Sequence, residues 1–387
     1  MHQATLSTWL AALAATATLA AAPVALAQGK LPETLTFTAY DTGTSGFNMT
    51  VAIGKMLKDK HNADVRVLPA GNDVARLTPI RTGRAHASAM GIGAYFAQEG
   101  VLEFATRDWG PQGLQMLLSS VDCNGLNLGV AKDTGAKEIK DLKGKRIGFV
   151  VGSPSLNQNA LATLAFGGLT RNDVTIVEFS SFGAMWKGML NNDVDAAFAS
   201  TITGQTKELE TSPRGIVWLP WPHKDTAGWE RARKIAPYMG PHLATCGSGG
   251  LSPQTPMEMA SAPYPIFMVY ASAAPDLVYA LTKAMIEGYD SYKDAAPGAS
   301  GLAVAKQTKK WVLPFHPGAV RALKEAGSWT AEDEAHNAGL FKRQAVLAEA
   351  WAGFLKTDPP QDKQQFQTKW LEARKSALVA AGLESIF

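Results

Sequence analysis

The stretch from Arg146 to Ser200 constrains the chain most. It reads as a strand (Arg146–Val151), a helix (about Leu156 to Phe166), a strand (Val174–Phe179), a helix (Phe182–Leu190) and a strand (Val194–Ser200). Short apolar runs alternating with segments of helical period form a βαβαβ block, and right-handed crossovers make its sheet parallel. A second alternation lies upstream: a strand at Leu35–Tyr40, a helix from about Phe47 to Lys60, a strand at Asp64–Leu68, a helix through about Thr82 and a strand at Ala85–Met90. With 387 residues and roughly 150 residues per domain, the chain has room for two such units.

Both units place a glycine- and hydroxyl-rich turn between a strand and a helix. The first is Asp41-Thr42-Gly43-Thr44-Ser45-Gly46, and the second is Gly152-Ser153-Pro154-Ser155. A helix start directs unpaired backbone N–H groups and the positive end of its dipole at whatever lies in front of it. Two such mouths in two lobes describe a receptor that closes on a small anion. The same residues also mark ordinary βα turns, which is the plainer reading of each loop by itself.

Composition supports a globular chain, with 46% hydrophobic and 18% charged residues. The net charge of +3 is spread along the chain, which argues against nucleic-acid binding. Leu10 to Ala22 is an apolar run followed by Ala25-Leu26-Ala27, so residues 1–27 are expected to be a signal peptide cleaved near Ala27-Gln28. Its n-region departs from the usual pattern in carrying no Lys or Arg. The expected location is the periplasm, with the mature protein free of the membrane. Cys123 and Cys246 can form one disulfide in an oxidising compartment, with two separate buried thiols as the alternative. The seven histidines show no metal-ligand spacing, and no cofactor motif or catalytic constellation is found.

The loop Thr42–Gly46, together with Asp141-Leu142-Lys143-Gly144-Lys145-Arg146, Asp193-Val194-Asp195-Ala196-Ala197-Phe198 and Phe315-His316-Pro317-Gly318-Ala319, resembles the TAXI family. These are the solute receptors of tripartite ATP-independent periplasmic (TRAP) transporters, and the likeness spans about residues 34–327. The resemblance implies an α/β, two-lobed type II periplasmic-binding-protein fold on a hinge. It also implies delivery of an organic acid or amino acid, often glutamate-like, to a TRAP membrane subunit. The receptor is expected to be a monomer and, with no catalytic constellation, not an enzyme. Lobe 1 is expected to be residues 28–125 and 250–327, lobe 2 residues 126–249, and residues 328–387 a C-terminal helical extension packing on lobe 1. Where the family commonly carries a Tyr pair, this chain has Phe47-Asn48-Met49, and Ser153-Pro154-Ser155 replaces a Gly-Ser-Gly turn. Ligands other than glutamate therefore stay open, including dicarboxylates and aromatic acids.

A carboxylate between lobes needs N–H and O–H donors and, preferably, one cation. The expected contacts from lobe 1 are Thr44, Ser45, Gly46, Phe47, Asn48, Asn72 and Arg76, with Asp73 capping its own helix. Arg76, in the first turn of that helix, is expected to meet a ligand acid or Asp73; a solvated side chain is the plain alternative. From lobe 2 the expected contacts are Ser153, Ser155, Asn157, Ser200 and Thr201, the last two at the carboxyl end of their strand. The rivals are the same scaffold serving an ABC permease or a sensor kinase, and an exported enzyme.

Overall fold

The computed structural model describes residues 30–387, so the signal-peptide expectation lies outside the described residues. The chain begins with β1 (Thr34–Ala39), α1 (Ser45–His61), β2 (Asp64–Pro69), α2 (Asp73–Arg81), β3 (Ala87–Met90), α3 (Gly93–Glu99) and β4 (Leu114–Ser119). It then crosses to β5 (Leu126–Ala131), β6 (Arg146–Val150), α4 (Pro154–Phe166), β7 (Thr175–Phe179), α5 (Phe182–Leu190) and β8 (Ala196–Ser200). Next come α6 (Gly204–Thr211), β9 (Ile216–Trp218), α7 (Thr226–Arg233), β10 (Gly240–Ala244) and β11 (Met257–Ser261). The chain returns through β12 (Ile266–Tyr270) and ends in α8 (Pro275–Glu287), α9 (Pro317–Glu325), α10 (Ala331–Leu355) and α11 (Lys363–Ala380).

Two sheets result, ordered β2-β1-β3-β12-β4 and β10-β11-β5-β8-β6-β7, with β9 paired to β5. They share one plan. In each, three strands from a βαβαβ unit run parallel, and an antiparallel strand arriving from the other lobe lies beside the third (β12 on β3, β5 on β8). This is the two-lobed α/β arrangement expected above. The wholly parallel reading holds for the βαβαβ block, while the crossing strands make both sheets mixed. Strands β3, β4, β5 and β8 are buried at every position, as strands covered on both faces must be.

The division of the chain differs from the expected one at its return. Lobe 1 is expected to resume at residue 250, but β11 (Met257–Ser261) pairs with β10 and touches β5, so that strand belongs to the second sheet. The two crossing segments run side by side: the Ser120 amide donates to Pro265 O (2.9 Å) and the Tyr264 amide to Ser120 O (2.8 Å). Cys123 in the outgoing crossing is bonded to Cys246, with Cα atoms 5.4 Å apart. Pairing two antiparallel crossings makes the junction a narrow hinge while leaving each lobe its own sheet.

Helix α10 starts at a capping box in which Thr330 and Asp333 satisfy each other's backbone amides. With α11 it lies on the first lobe, against α3. There Glu99 accepts a bidentate pair from Arg343 (2.7 Å to each oxygen) and a further bond from Arg374. The Trp370 indole donates to Gly100 O (2.6 Å), inside an apolar cluster of Ala105, Phe354, Phe366 and Trp370. Among the described residues no helix is long and apolar enough to cross a membrane.

Candidate functional site

The carboxyl ends of β1, β3, β6 and β8 face one cleft, and a cavity of about 50 Å³ lies in it. From the first sheet's side it is lined by Tyr40, Thr44, Gly91 and Ile92; the returning crossing contributes Ala262, Pro263 and Tyr264. The second sheet's side supplies Ser155, Leu156 and Asn159 of α4, Phe182 of α5, and Phe198, Ser200 and Thr203 around the end of β8. Both lobes therefore line one shared space.

Around that space the lobes are latched together. Pro154 opens α4 and has no N–H, so Ser155 carries the first free amide of the helix; it donates to Asp73 Oδ2 (2.8 Å), 82 residues away. At α5, the Phe182 amide donates to Gly71 O (2.9 Å) and the Gly183 amide to Asp41 Oδ2 (2.8 Å). At α6, the Gly204 amide donates to Gly43 O (3.2 Å). Each of these three helix starts in the second lobe meets an oxygen of the first. Gly152, held at φ +75° where glycine is favoured, turns its carbonyl back to accept from the Val74 amide (3.1 Å).

Behind the cavity wall sits a buried charge pair. Asp73 and Arg76 are both fully buried, with Arg76 Nη2 2.6 Å from Asp73 Oδ1. The Tyr40 hydroxyl donates to the same carboxylate (2.8 Å) and lies 2.7 Å from Ser153 Oγ and 3.2 Å from Ser155 Oγ. The Arg76 guanidinium stacks 3.3 Å above the Tyr40 ring and donates to Ala89 O (3.0 Å). Burial, with Asp73 adding to it, pushes the Tyr40 phenol far above its ordinary range, so it is a neutral donor. Burial opposes the Arg76 charge, but the Asp73 carboxylate, with the Tyr40 ring face beneath the guanidinium, outweighs it and holds the group protonated. Burial likewise raises the Tyr264 phenol, which sits beside the Ser45 hydroxyl and the Gly46 amide at the start of α1.

Of the residues expected to bind, Thr44, Ser155 and Ser200 line the cavity. Ser45 and Gly46 lie just behind it against Tyr264, and Ser45 Oγ is buried without a hydrogen-bond partner. The others are occupied elsewhere. Phe47 is half-buried against the core, and Asn48 donates to Gly43 O (3.4 Å). The expected roles of Asn72 and Asp73 are exchanged: Asn72 caps α2 by accepting from the Ala75 amide (2.8 Å), while Asp73 spans the cleft. Arg76 pairs with Asp73, one of its two expected partners. Ser153 bonds Tyr40, and Asn157 clasps its own turn through both polar groups of Val150. Thr201 bridges the Gly125 amide and Cys246 O beside the disulfide. Sequence reasoning passed over Tyr40, Ile92 and Thr203, although all three follow the carboxyl ends of strands, the usual position for ligands in open α/β sheets. Tyr264 carries no such signal, because only the pairing of the crossings brings it to the site.

Residues 37–327 match the family model described as NMT1-like. The chain belongs to the NMT1-like family. No curated protein matches the sequence. Among solved structures it is similar to an ancestral arginine-binding protein bound to arginine, at 15% identity and a TM-score of 0.42, covering 69% of this chain and 100% of that one. An alkanesulfonate-binding protein of Xanthomonas axonopodis pv. citri bound to MOPS is 18% identical, with a TM-score of 0.38 over 82% of this chain and 95% of that one. An amino-acid ABC transporter substrate-binding protein of Streptococcus pneumoniae bound to L-arginine is 13% identical, with a TM-score of 0.41 over 69% and 96%. The family match stops at residue 327, so α10 and α11 lie outside it.

The closeness of the lobes makes Gly71 a sensitive position. A Cβ there would lie 2.4 Å from Ser181 Cβ, across the cleft at the start of α5. Gly71→Ala is expected to oppose closure by about 1–3 kcal/mol, as overpacking does. Small-angle scattering should report a larger radius of gyration, and hydrogen exchange should be faster at the Phe182 and Gly183 amides.

Proposed function

We propose that the protein is an extracytoplasmic receptor that closes two lobes over a small organic solute and presents it to a membrane permease. The observation that carries this reading is the cavity lined from both lobes, beside the two paired crossings that join them. The periplasm is the compartment we assign, supported by the expected signal peptide and by a disulfide beside the hinge. The permease we assign is of the TRAP type, on the sequence motifs that resemble the TAXI receptors.

The carboxylate expected from the sequence rested on helix starts open to the cleft. The amides at the starts of α4, α5 and α6 are instead bonded between the lobes. The proposed cargo is therefore drawn more widely, as a small organic solute. Intrinsic fluorescence gives a direct test, because Phe182 lines the cavity and its ring lies 6.2 Å from that of Trp186. Titration with a panel of small organic solutes is expected to give a saturable change in emission and a rise in thermal midpoint. A panel spanning charged and uncharged solutes with no saturable response would overturn the receptor reading. Ligand-dependent capture by a reconstituted TRAP membrane subunit, and not by an ABC permease or a sensor kinase, is the result expected for the partner.

A further inference from the structure

We infer that the solute this site selects is uncharged: a compact molecule carrying a hydroxyl or primary amide beside a short hydrocarbon part. The inference rests on the receptor reading above and names the chemical class of its cargo.

The first argument is the lining. Among the described residues, no Asp, Glu, Lys, Arg or His lines the cavity. Its apolar wall is made by Ile92, Leu126, Leu156, Phe182 and Phe198. Its polar groups are neutral, and several retain capacity to bond. Asn159 accepts from the Tyr238 hydroxyl through Oδ1 (2.8 Å), which leaves its Nδ2 to donate. Ser200 Oγ accepts from Asn124 (2.9 Å) and Thr44 Oγ1 from the Phe47 amide (3.3 Å), so each hydroxyl proton is still available. Neutral donors and acceptors distributed over an apolar pocket match an amide or alcohol.

The second argument is electrostatic. The nearest charges, Asp73 and Arg76, neutralise each other at 2.6 Å behind Tyr40. The helix starts that would favour an anion already face oxygens of the other lobe: Asp73 at α4, Asp41 and Gly71 at α5, and Gly43 at α6. At α1 the Tyr264 phenol stands against Gly46. A carboxylate entering this space would lose hydration worth several kcal/mol without gaining a counter-charge. A neutral amide or hydroxyl loses far less and recovers it from the groups just named.

The third argument is size. Since a water needs roughly 10–15 Å³ of such volume, a cavity of about 50 Å³ holds about three to five non-hydrogen atoms in the closed state. That range fits acetamide, propionamide or a short diol.

The test uses pairs that match in shape and differ in charge: acetamide against acetate and propionamide against propionate, titrated calorimetrically into the full chain. The amide of each pair is expected to bind at least tenfold more tightly, with little dependence on ionic strength. Ser200→Ala and Thr203→Val are each expected to weaken amide binding several-fold while far-ultraviolet circular dichroism stays unchanged. Equal or tighter binding of the carboxylates would overturn the inference and leave the receptor reading standing. Absence of binding by all four would also overturn the inference, while the receptor reading is decided by the wider fluorescence panel above.

Discussion

Asp73→Ala is expected to destabilise the protein by about 3–5 kcal/mol, because it leaves the Arg76 guanidinium buried with no counter-charge. Arg76 is fully buried, its Nε has no partner, and its remaining strong contacts are Ala89 O and the Tyr40 ring. The same substitution removes the acceptor of the Tyr40 hydroxyl and of the Ser155 amide, so it also loosens the latch between lobes. These two effects separate in a double variant. Arg76→Met added to Asp73→Ala replaces a buried ion pair with apolar volume, which is often close to neutral for stability. It is expected to restore most of the lost stability in denaturant unfolding, while scattering still shows a more open molecule. An Asp73→Ala protein as stable as the wild type would show that Arg76 is satisfied by something other than this carboxylate.

Glu99→Gln is expected to cost a similar amount, about 3–5 kcal/mol, at the seat of the C-terminal helices. Glu99 and Arg374 are fully buried and Arg343 is nearly so, hence one carboxylate balances two guanidiniums. The glutamine variant leaves two cations facing each other in a poorly solvated space. Hydrogen exchange over α10 and α11, and proteolysis near Pro359 and Pro360, should both increase, with the two sheets less affected.

The same carboxylate gives a pH signature. Burial opposes its charge, but the hydrogen bonds and charges of Arg343 and Arg374 win and hold Glu99 below its ordinary range. A carboxyl lowered on folding contributes stability that is complete above its unfolded pKa of about 4.3 and is lost as pH falls through the lower folded value. Docking of the extension should therefore weaken in acid below about pH 4 in the wild type. The Gln variant should lack that component. Identical acid profiles for the two proteins would assign the acid sensitivity to other carboxyls.

Much of the architecture was legible because its signals are local. The strand at Arg146–Val150 and the helix at Phe182–Leu190 stand where period and turn residues put them. The start of α10 is local in the same way: Thr330 is its N-cap and Asp333 completes the capping box, so the cap and the amides it satisfies are neighbours in sequence. The start of α1 came earlier than the apolar pattern suggested: Thr44 is its N-cap, so Ser45 and Gly46 form the first turn. The edge of lobe 2 was misplaced because β10 and β11 lie in a stretch whose Pro, Gly and Trp content masks strand alternation.

The site was less legible, for a related reason. Local sequence marked the two glycine-rich turns, yet not what their helices would face. Asn72 and Asp73 are adjacent, both are good helix caps, and nothing within a few residues distinguishes the one that caps α2 from the one that reaches α4. Tyr264 and Arg76 become neighbours only when the return crossing lies beside the outgoing one.

The amino-acid order alone determined the alternation of strands and helices, the caps that start them and the apolar faces that must be buried. Those properties depend on side-chain period and on hydrogen bonds spanning three or four residues. Tertiary structure decided where the charges end up: Asp73 with Ser155, Asp41 with Gly183, Glu99 with Arg374. Such pairings join residues 82 to 275 positions apart. A buried charge must take whichever partner the packed lobes place within reach, and that choice exists only once the lobes have met.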